Sequence, residues 1–296
     1  MRVLAFDIGG TSIKVGVVNE KGDILEQKEL PTLAHEGGEA LMNRILKEIK
    51  NYKDINRVGI STAGQVDAVE GKIIFASENL PGWTGMEIKK RIEETCGIIT
   101  AVENDVNAAA IGEANFGAGR NTPSFLCLTY GTGIGGAIVE HKKIYRGAFG
   151  SAGEFGHMIT HGDGENCNCG GKGCYERYAS TSALVRRVKS ELKTDEEIDG
   201  KTIFEKVDAN ETMYIDIVNK WIDEIIIGLV NIIHIFNPTL IVLGGGIMCQ
   251  KHVIEYLRSN LPLYVMPNYD KVKIMPASLG NSAGLLGAAL LALEVE

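Results

Sequence analysis

The feature that most narrows the fold of this chain is a repeated pairing of an apolar strand with a glycine-rich tip. Val3-Leu4-Ala5-Phe6 runs into Asp7-Ile8-Gly9-Gly10-Thr11, and strand character resumes over Ile13-Lys14-Val15-Gly16-Val17-Val18. The pattern returns at Phe125-Leu126-Cys127-Leu128-Thr129-Tyr130, with Gly131-Thr132-Gly133 as its tip and Ile134-Gly135-Gly136-Ala137-Ile138-Val139 as the returning strand. Two strands joined by so short a tip form a hairpin whose turn exposes backbone N–H groups. Internal similarity of this kind predicts two related lobes. Elsewhere strands alternate with helical spacing, as at Leu41, Ile45, Leu46 and Ile49 and along 211–236, where Asn237-Pro238 stops the helix. The expected class is therefore α/β with mixed sheets. We place the first lobe at 1–118, completed by a small-residue helix at 282–294, and the second at 119–281.

The bulk properties remove several function classes. A length of 296 residues suits two lobes of ordinary size. A net charge of −8 argues against a nucleic-acid surface, although a nucleotide needs only local amides and a cation. No run of 18 apolar residues predicts a membrane span. Strand character begins at once without a secretory leader, and six cysteines, three of them clustered, fit a reducing compartment, so a cytoplasmic location is expected.

That cluster occupies the loop 157–174. Cys167, Cys169 and Cys174 supply three thiolates and His157 a nitrogen, a Cys3His set suited to a closed tetrahedral zinc site. The glycines of Cys169-Gly170-Gly171-Lys172-Gly173-Cys174 let so short a loop fold back at positive φ. His161 competes with His157 as the fourth ligand, because it also lies just before the cysteines. Glu154 and Glu176 flank the knot, and with the outward edge of His157 they form one wall of a ligand pocket. The zinc reads as structural.

Three glycine tips follow strands directly: Gly9-Gly10-Thr11, Gly131-Thr132-Gly133 and Gly244-Gly245-Gly246. Bare amides and the absence of Cβ suit phosphate oxygens. The first two suit the β- and γ-phosphates, and the third, before a helix, suits the nucleoside. None matches a Walker loop or a strict dinucleotide fingerprint. Asp7 at a strand end would hold Mg²⁺ through water, or else cap the turn. For the chemical step the candidate is Asp105, because transfer of a γ-phosphoryl group needs a carboxylate to orient the acceptor hydroxyl and take its proton. Asn104 beside it offers a donor and an acceptor, and either residue also suits the cap of the following Ala-rich helix.

Taken together, Asp7-Ile8-Gly9-Gly10-Thr11, Glu103-Asn104-Asp105, Gly131-Thr132-Gly133-Ile134-Gly135-Gly136, Glu154-Phe155-Gly156-His157 and the Cys167–Glu176 run resemble the ROK family of sugar kinases over essentially the whole chain. The resemblance implies a two-lobed actin-like ATPase (ribonuclease H-like) fold that closes over ATP and sugar, with a zinc-stabilised loop. It implies Asp105 as catalytic base, sugar contacts from Asn79, Asn104, Glu154, His157 and Glu176, zinc on His157, Cys167, Cys169 and Cys174, and Mg²⁺ with ATP. Asn79 enters only in this way; by itself it reads as a turn residue. A homodimer or dimer of dimers is also implied. One departure is Ser12, where family members often carry lysine after the Gly-Gly-Thr, with Lys14 two residues on and sharing its face of the strand.

The family also contains repressors with an added DNA-binding module, but the hairpin beginning at Asp7 leaves no room ahead of it for one. A sugar-binding regulator without catalysis is disfavoured, because Asp105 and the tips are intact. The expected acceptor is the 6-hydroxyl of glucose, with N-acetylmannosamine as runner-up and fructose, mannose, allose and β-glucosides behind.

Overall fold

The computed structural model describes Met1–Val295. The chain divides into two compact units. Unit 1 comprises Met1–Pro123, Ile138–Ala152 and the C-terminal stretch from Asn281, and unit 2 comprises Ser124–Ala137 and Gly153–Gly280. The division passes through the strand Ile134–Glu140.

Unit 1 begins with strands β1 (Arg2–Ile8), β2 (Ser12–Asn19) and β3 (Ile24–Pro31), helix α1 (Gly38–Ile49) and strand β4 (Arg57–Thr62). A short hairpin, β5 (Gln65–Asp67) and β6 (Lys72–Phe75), precedes α2 (Ile88–Cys96), β7 (Ile99–Asn104) and α3 (Asp105–Phe116). The sheet order is β3-β2-β1-β4-β7, with β1 antiparallel to β2 and parallel to β4. Both faces of β1 are covered, so it reads as an unbroken apolar run rather than an alternating one. Leu4, Phe6 and Ile8 join α1 residues Leu41, Met42 and Ile45 in one core cluster. The last helix, Ala283–Glu294, is built almost wholly from glycine, alanine and leucine and packs against α3, β1 and β4. Small residues permit this approach: a side chain at Gly59 would collide with the carbonyl of Ala288, and one at Gly287 with that of Ala108.

The strands β8 (Phe125–Tyr130), β9 (Ile134–Glu140) and β10 (Lys143–Ile144) follow α3, and helices α4 (Glu176–Ala179), α5 (Thr181–Leu192), α6 (Gly200–Asp208) and α7 (Thr212–Phe236) come after the cysteine loop. Strand β11 (Leu240–Gly244), α8 (Lys251–Asn260), β12 (Lys273–Pro276) and α9 (the last helix) complete the order. The second sheet runs β10-β9-β8-β11-β12, with β11 parallel to both β8 and β12. In unit 2 the long α7 buries Trp221, Ile222, Ile225 and Leu229, and Trp221 donates its indole N–H to the carbonyl of Ser180 at 3.0 Å. Asn237 ends α7 in the left-handed conformation, immediately before Pro238.

Candidate active site and metal centre

In unit 1 the end of β7 delivers the chain to the start of α3. Asn104 is the N-cap: its side-chain oxygen accepts from the N–H of Val106 at 2.9 Å and of Asn107 at 3.1 Å. Its amide donates to the carbonyl of Gly64 and to Asp105 Oδ1, both at 2.9 Å. Capping thus falls to Asn104 and leaves Asp105 as the first helical residue. Asp105 Oδ1 accepts from the amide of Asn104 and from the Val106 N–H at 3.0 Å. Burial, and then the charge of Asp7, push its carboxyl up to about 6. The residue as a whole is partly exposed. Behind it, Glu103 is 1% exposed, forms an ion pair with Arg146 and accepts from the N–H of Asn104.

Asp7 ends β1 with Oδ1 accepting from Ser61 Oγ at 2.8 Å and Oδ2 at 3.6 Å from Lys14 Nζ. The β1–β2 register sets Asp7 opposite Lys14, so the lysine sits beside its carboxylate. The first turn of α9 closes the other side: a Cβ at Gly284 would lie 2.7 Å from Asp7 Oδ1. Sequence reasoning passed over Ser61 and Gly284, since each looks like a core residue of its own element. The Gly9-Gly10-Thr11 tip is held from its carbonyl side, with Thr32 donating from Oγ1 to Gly9 and from its N–H to Thr11. Gly10 and Thr11 are exposed, and a Cβ at Gly10 would meet that of Asn79 at 3.8 Å. Asn79 is thereby placed beside the first tip.

In unit 2 the other two tips meet. Gly245 has φ 97°, and a side chain there would collide with the carbonyl of Tyr130, which precedes Gly131. Gly131, Thr132 and Gly246 line a cavity of about 810 Å³ with Thr181, Arg186 and Lys201 among its walls. That volume is ordinary for a nucleotide-sized ligand. Arg186 and Lys201 were not singled out from sequence. For Lys201 the available signal was Asp199, which caps α6 by accepting from the Thr202 N–H at 2.8 Å, followed by apolar Ile203, Phe204 and Val207 at helical spacing; Arg186 lies on α5.

The cysteine loop settles between its two histidines. One ligand atom from each of His157, Cys167, Cys169 and Cys174 lies within 4.8 Å of all the others. His157 Nδ1 is 3.7 Å from Cys167 Sγ, and the sulfurs of Cys169 and Cys174 are 3.6 Å apart. A tetrahedral zinc with bonds of about 2.3 Å requires sulfur separations near 3.8 Å, so these residues fit the ion. The backbone N–H of Gly171 favours the thiolate of Cys169, whereas burial pushes the Cys167 thiol up to about 12, a penalty a cation would relieve. His161 instead stacks on Tyr178 with ring centroids 3.8 Å apart and points Nε2 at Glu224, 3.5 Å away. With Nδ1 turned to the sulfurs, His157 presents Nε2 towards Glu154 at 3.9 Å. Glu176 Oε1 lies 3.9 Å from His157 Nδ1, and its other oxygen accepts from the N–H of Ile134 at 3.3 Å.

The ROK family profile matches residues 3–295. A glucokinase of Streptomyces coelicolor is 35% identical over 99% of this chain and 98% of its own. A beta-glucoside kinase of Listeria innocua is 34% identical over 100% and 99%. The crystal structure of a ROK family glucokinase from Streptomyces griseus, in complex with glucose and AMPPNP, superposes with a TM-score of 0.87 at 33% identity and covers 100% of both chains. The chain belongs to the ROK family and is an ATP-dependent sugar kinase. Among the described residues no helix is long and apolar enough to cross a membrane.

Proposed function

We propose that the chain transfers the γ-phosphoryl group of ATP to the 6-hydroxyl of glucose, with Asp105 as the base. The observation that carries this reading is the Asp105 carboxyl: one oxygen is fixed by Asn104 and Val106, and the group is raised to about 6. A base works best when its pKa lies near the operating pH, where it is ionised yet still basic. Asp105 takes the proton of the acceptor hydroxyl as the bond from that oxygen to phosphorus forms and ADP leaves. Asn79 and Asn104 in unit 1, and Glu154, His157 Nε2 and Glu176 in unit 2, are each assigned to hydroxyls of the sugar. The unit 2 cavity, with Gly131, Thr132, Gly133, Gly244, Gly245 and Gly246 about it, is assigned to ATP, and Gly9, Gly10 and Thr11 to its terminal phosphates. Asp7 would hold Mg²⁺, which when bound neutralises phosphate charge. His157, Cys167, Cys169 and Cys174 would hold zinc as a structural staple.

Glucose is favoured because similar chains of this length are glucokinases, one of them solved with glucose bound. A panel of glucose, N-acetylmannosamine, fructose, mannose, allose and aryl β-glucosides, ranked by kcat/KM, tests it. Glucose should rank first. N-acetylmannosamine or a β-glucoside ahead of it would replace the acceptor but keep the kinase, whereas no ADP with any sugar would leave only a sugar-binding protein.

A further inference from the structure

The residue after the last metal ligand, Tyr175, is fully buried in unit 2, as is Tyr130, the residue before the second glycine tip. Their hydroxyls are 2.8 Å apart with the rings edge to face, and the Tyr175 hydroxyl donates to the carbonyl of Ile225 at 2.9 Å. Burying two phenols where two phenylalanines would fill the same space is costly unless both hydroxyls are bonded, and here they are. The bond joins two places the sequence keeps far apart. On one side Cys174 fixes Tyr175, whose N–H also donates to Met158 at 2.8 Å. On the other, Tyr130 leads directly into Gly131, and its carbonyl packs against Gly245 of the third tip. Glu176 grips the far end of the same tip through the N–H of Ile134. The dipeptide Tyr175-Glu176 therefore spans the tip from base to base, and both residues hang from a metal ligand.

We propose that Tyr175 is a positioning residue that couples the Cys3His centre to the phosphate-binding tip, so that metal in the loop sets the affinity of the adjoining cavity for a nucleoside triphosphate. The turns of the loop 157–174 rest on backbone bonds, such as those from the Thr160 and His161 N–H groups to Gly173, while the ion would set where the Cys174 sulfur, and with it Tyr175, sits. A shift of Cys174 moves Tyr175, and Tyr130 then loses its side-chain bond beneath the second tip, leaving that tip to the Thr181 N–H on the Gly131 carbonyl at 2.9 Å. The nucleoside side of the cavity, walled by α5 and α6, does not hang from this bond. The proposal rests on the assignment of ATP to this cavity.

Isothermal titration with a non-hydrolysable ATP analogue and with adenosine, on zinc-loaded and chelated protein, tests it. Chelation of the wild-type protein should weaken the analogue about tenfold, within the 5- to 150-fold usual for coupled sites, and adenosine less than about twofold. Tyr175→Phe should keep its zinc, bind the analogue about as weakly as chelated wild type, and respond little to chelation. Tyr130→Phe/Tyr175→Phe should regain thermal stability over the single variant, since no hydroxyl is left unpaired, without regaining affinity. If the single variant does not fold, the wild type decides through reciprocity: the analogue should slow zinc transfer to a chromogenic chelator. Equal losses for adenosine and analogue, a Tyr175→Phe protein that titrates as wild type, or zinc transfer indifferent to the analogue would each overturn the coupling while leaving the nucleotide site standing. A zinc-loaded wild type that binds no analogue would overturn the ATP assignment and the coupling together.

Discussion

The two hairpins begin from nearly the same sequence pattern and end in different chemistry. The first, β1–β2, is buttressed by charge and by small residues: Asp7 is bonded to Ser61, paired with Lys14 and roofed by Gly284. The second, β8–β9, carries no aspartate at its tip and is buttressed by Tyr175 and Glu176, which hang from a cysteine cluster. A strand–glycine–strand hairpin therefore supplies only exposed amides. What lies beside those amides differs, a carboxylate in one unit and a Cys3His cluster in the other.

The largest effect should come from the unit 1 carboxylate. Asp105→Asn removes the proposed base and should lower kcat by about 10²- to 10⁴-fold while analogue and sugar affinities stay within a few-fold in calorimetry. The same variant should melt higher near neutral pH. A carboxyl whose folded pKa lies above its unfolded value of 3.8 destabilises the native state above about pH 6, and the penalty fades as pH falls through 6 towards 3.8. Retained turnover would mean that another base operates.

Next come the two histidines of unit 2. His157→Ala should strip zinc from the protein in metal analysis and lower its melting temperature, whereas His161→Ala should keep the ion; loss of zinc only in the His161 variant would reverse the assignment. Gly284→Ala then probes how closely α9 approaches Asp7. The new methyl must displace the carboxylate or the helix, which should cost about 1–3 kcal/mol in denaturant unfolding and raise the Mg²⁺ concentration needed for half-maximal rate. The smallest effect concerns pH. Because Asp105 must be ionised, kcat/KM should fall below about pH 6, and Asp7→Asn, by removing the neighbouring negative charge, should move that break to lower pH. An unmoved break would mean that burial alone sets it.

Much of the element order was legible because both sheets use long apolar strands and the helices carry strong periodicity. What escaped was short or locally ambiguous. Strands β5 and β10 have three and two residues, too few for alternation to show. Helix α6 has nine residues and buries only Ile203, Phe204 and Val207, so Lys201 was not connected with the tips it accompanies, and Arg186 lies on α5, far in sequence from either tip. Asn79 carried no signal beyond a turn, and only the family resemblance drew attention to it. The choice of cap between Asn104 and Asp105 needed side-chain directions, which adjacency in sequence does not encode.

Residue chemistry and spacing alone determined that the chain is α/β, that it exposes amides at three glycine tips, and that it gathers three thiols and an imidazole into one loop. These follow from local rules: apolar periodicity, the freedom of glycine, and the reach of a short loop. Tertiary structure alone decided that His157 rather than His161 turns its ring to the sulfurs, that Gly284 rests on Asp7, and that Tyr130 meets Tyr175. Each of those contacts joins residues on separate elements, and their distances depend on how whole sheets and helices pack.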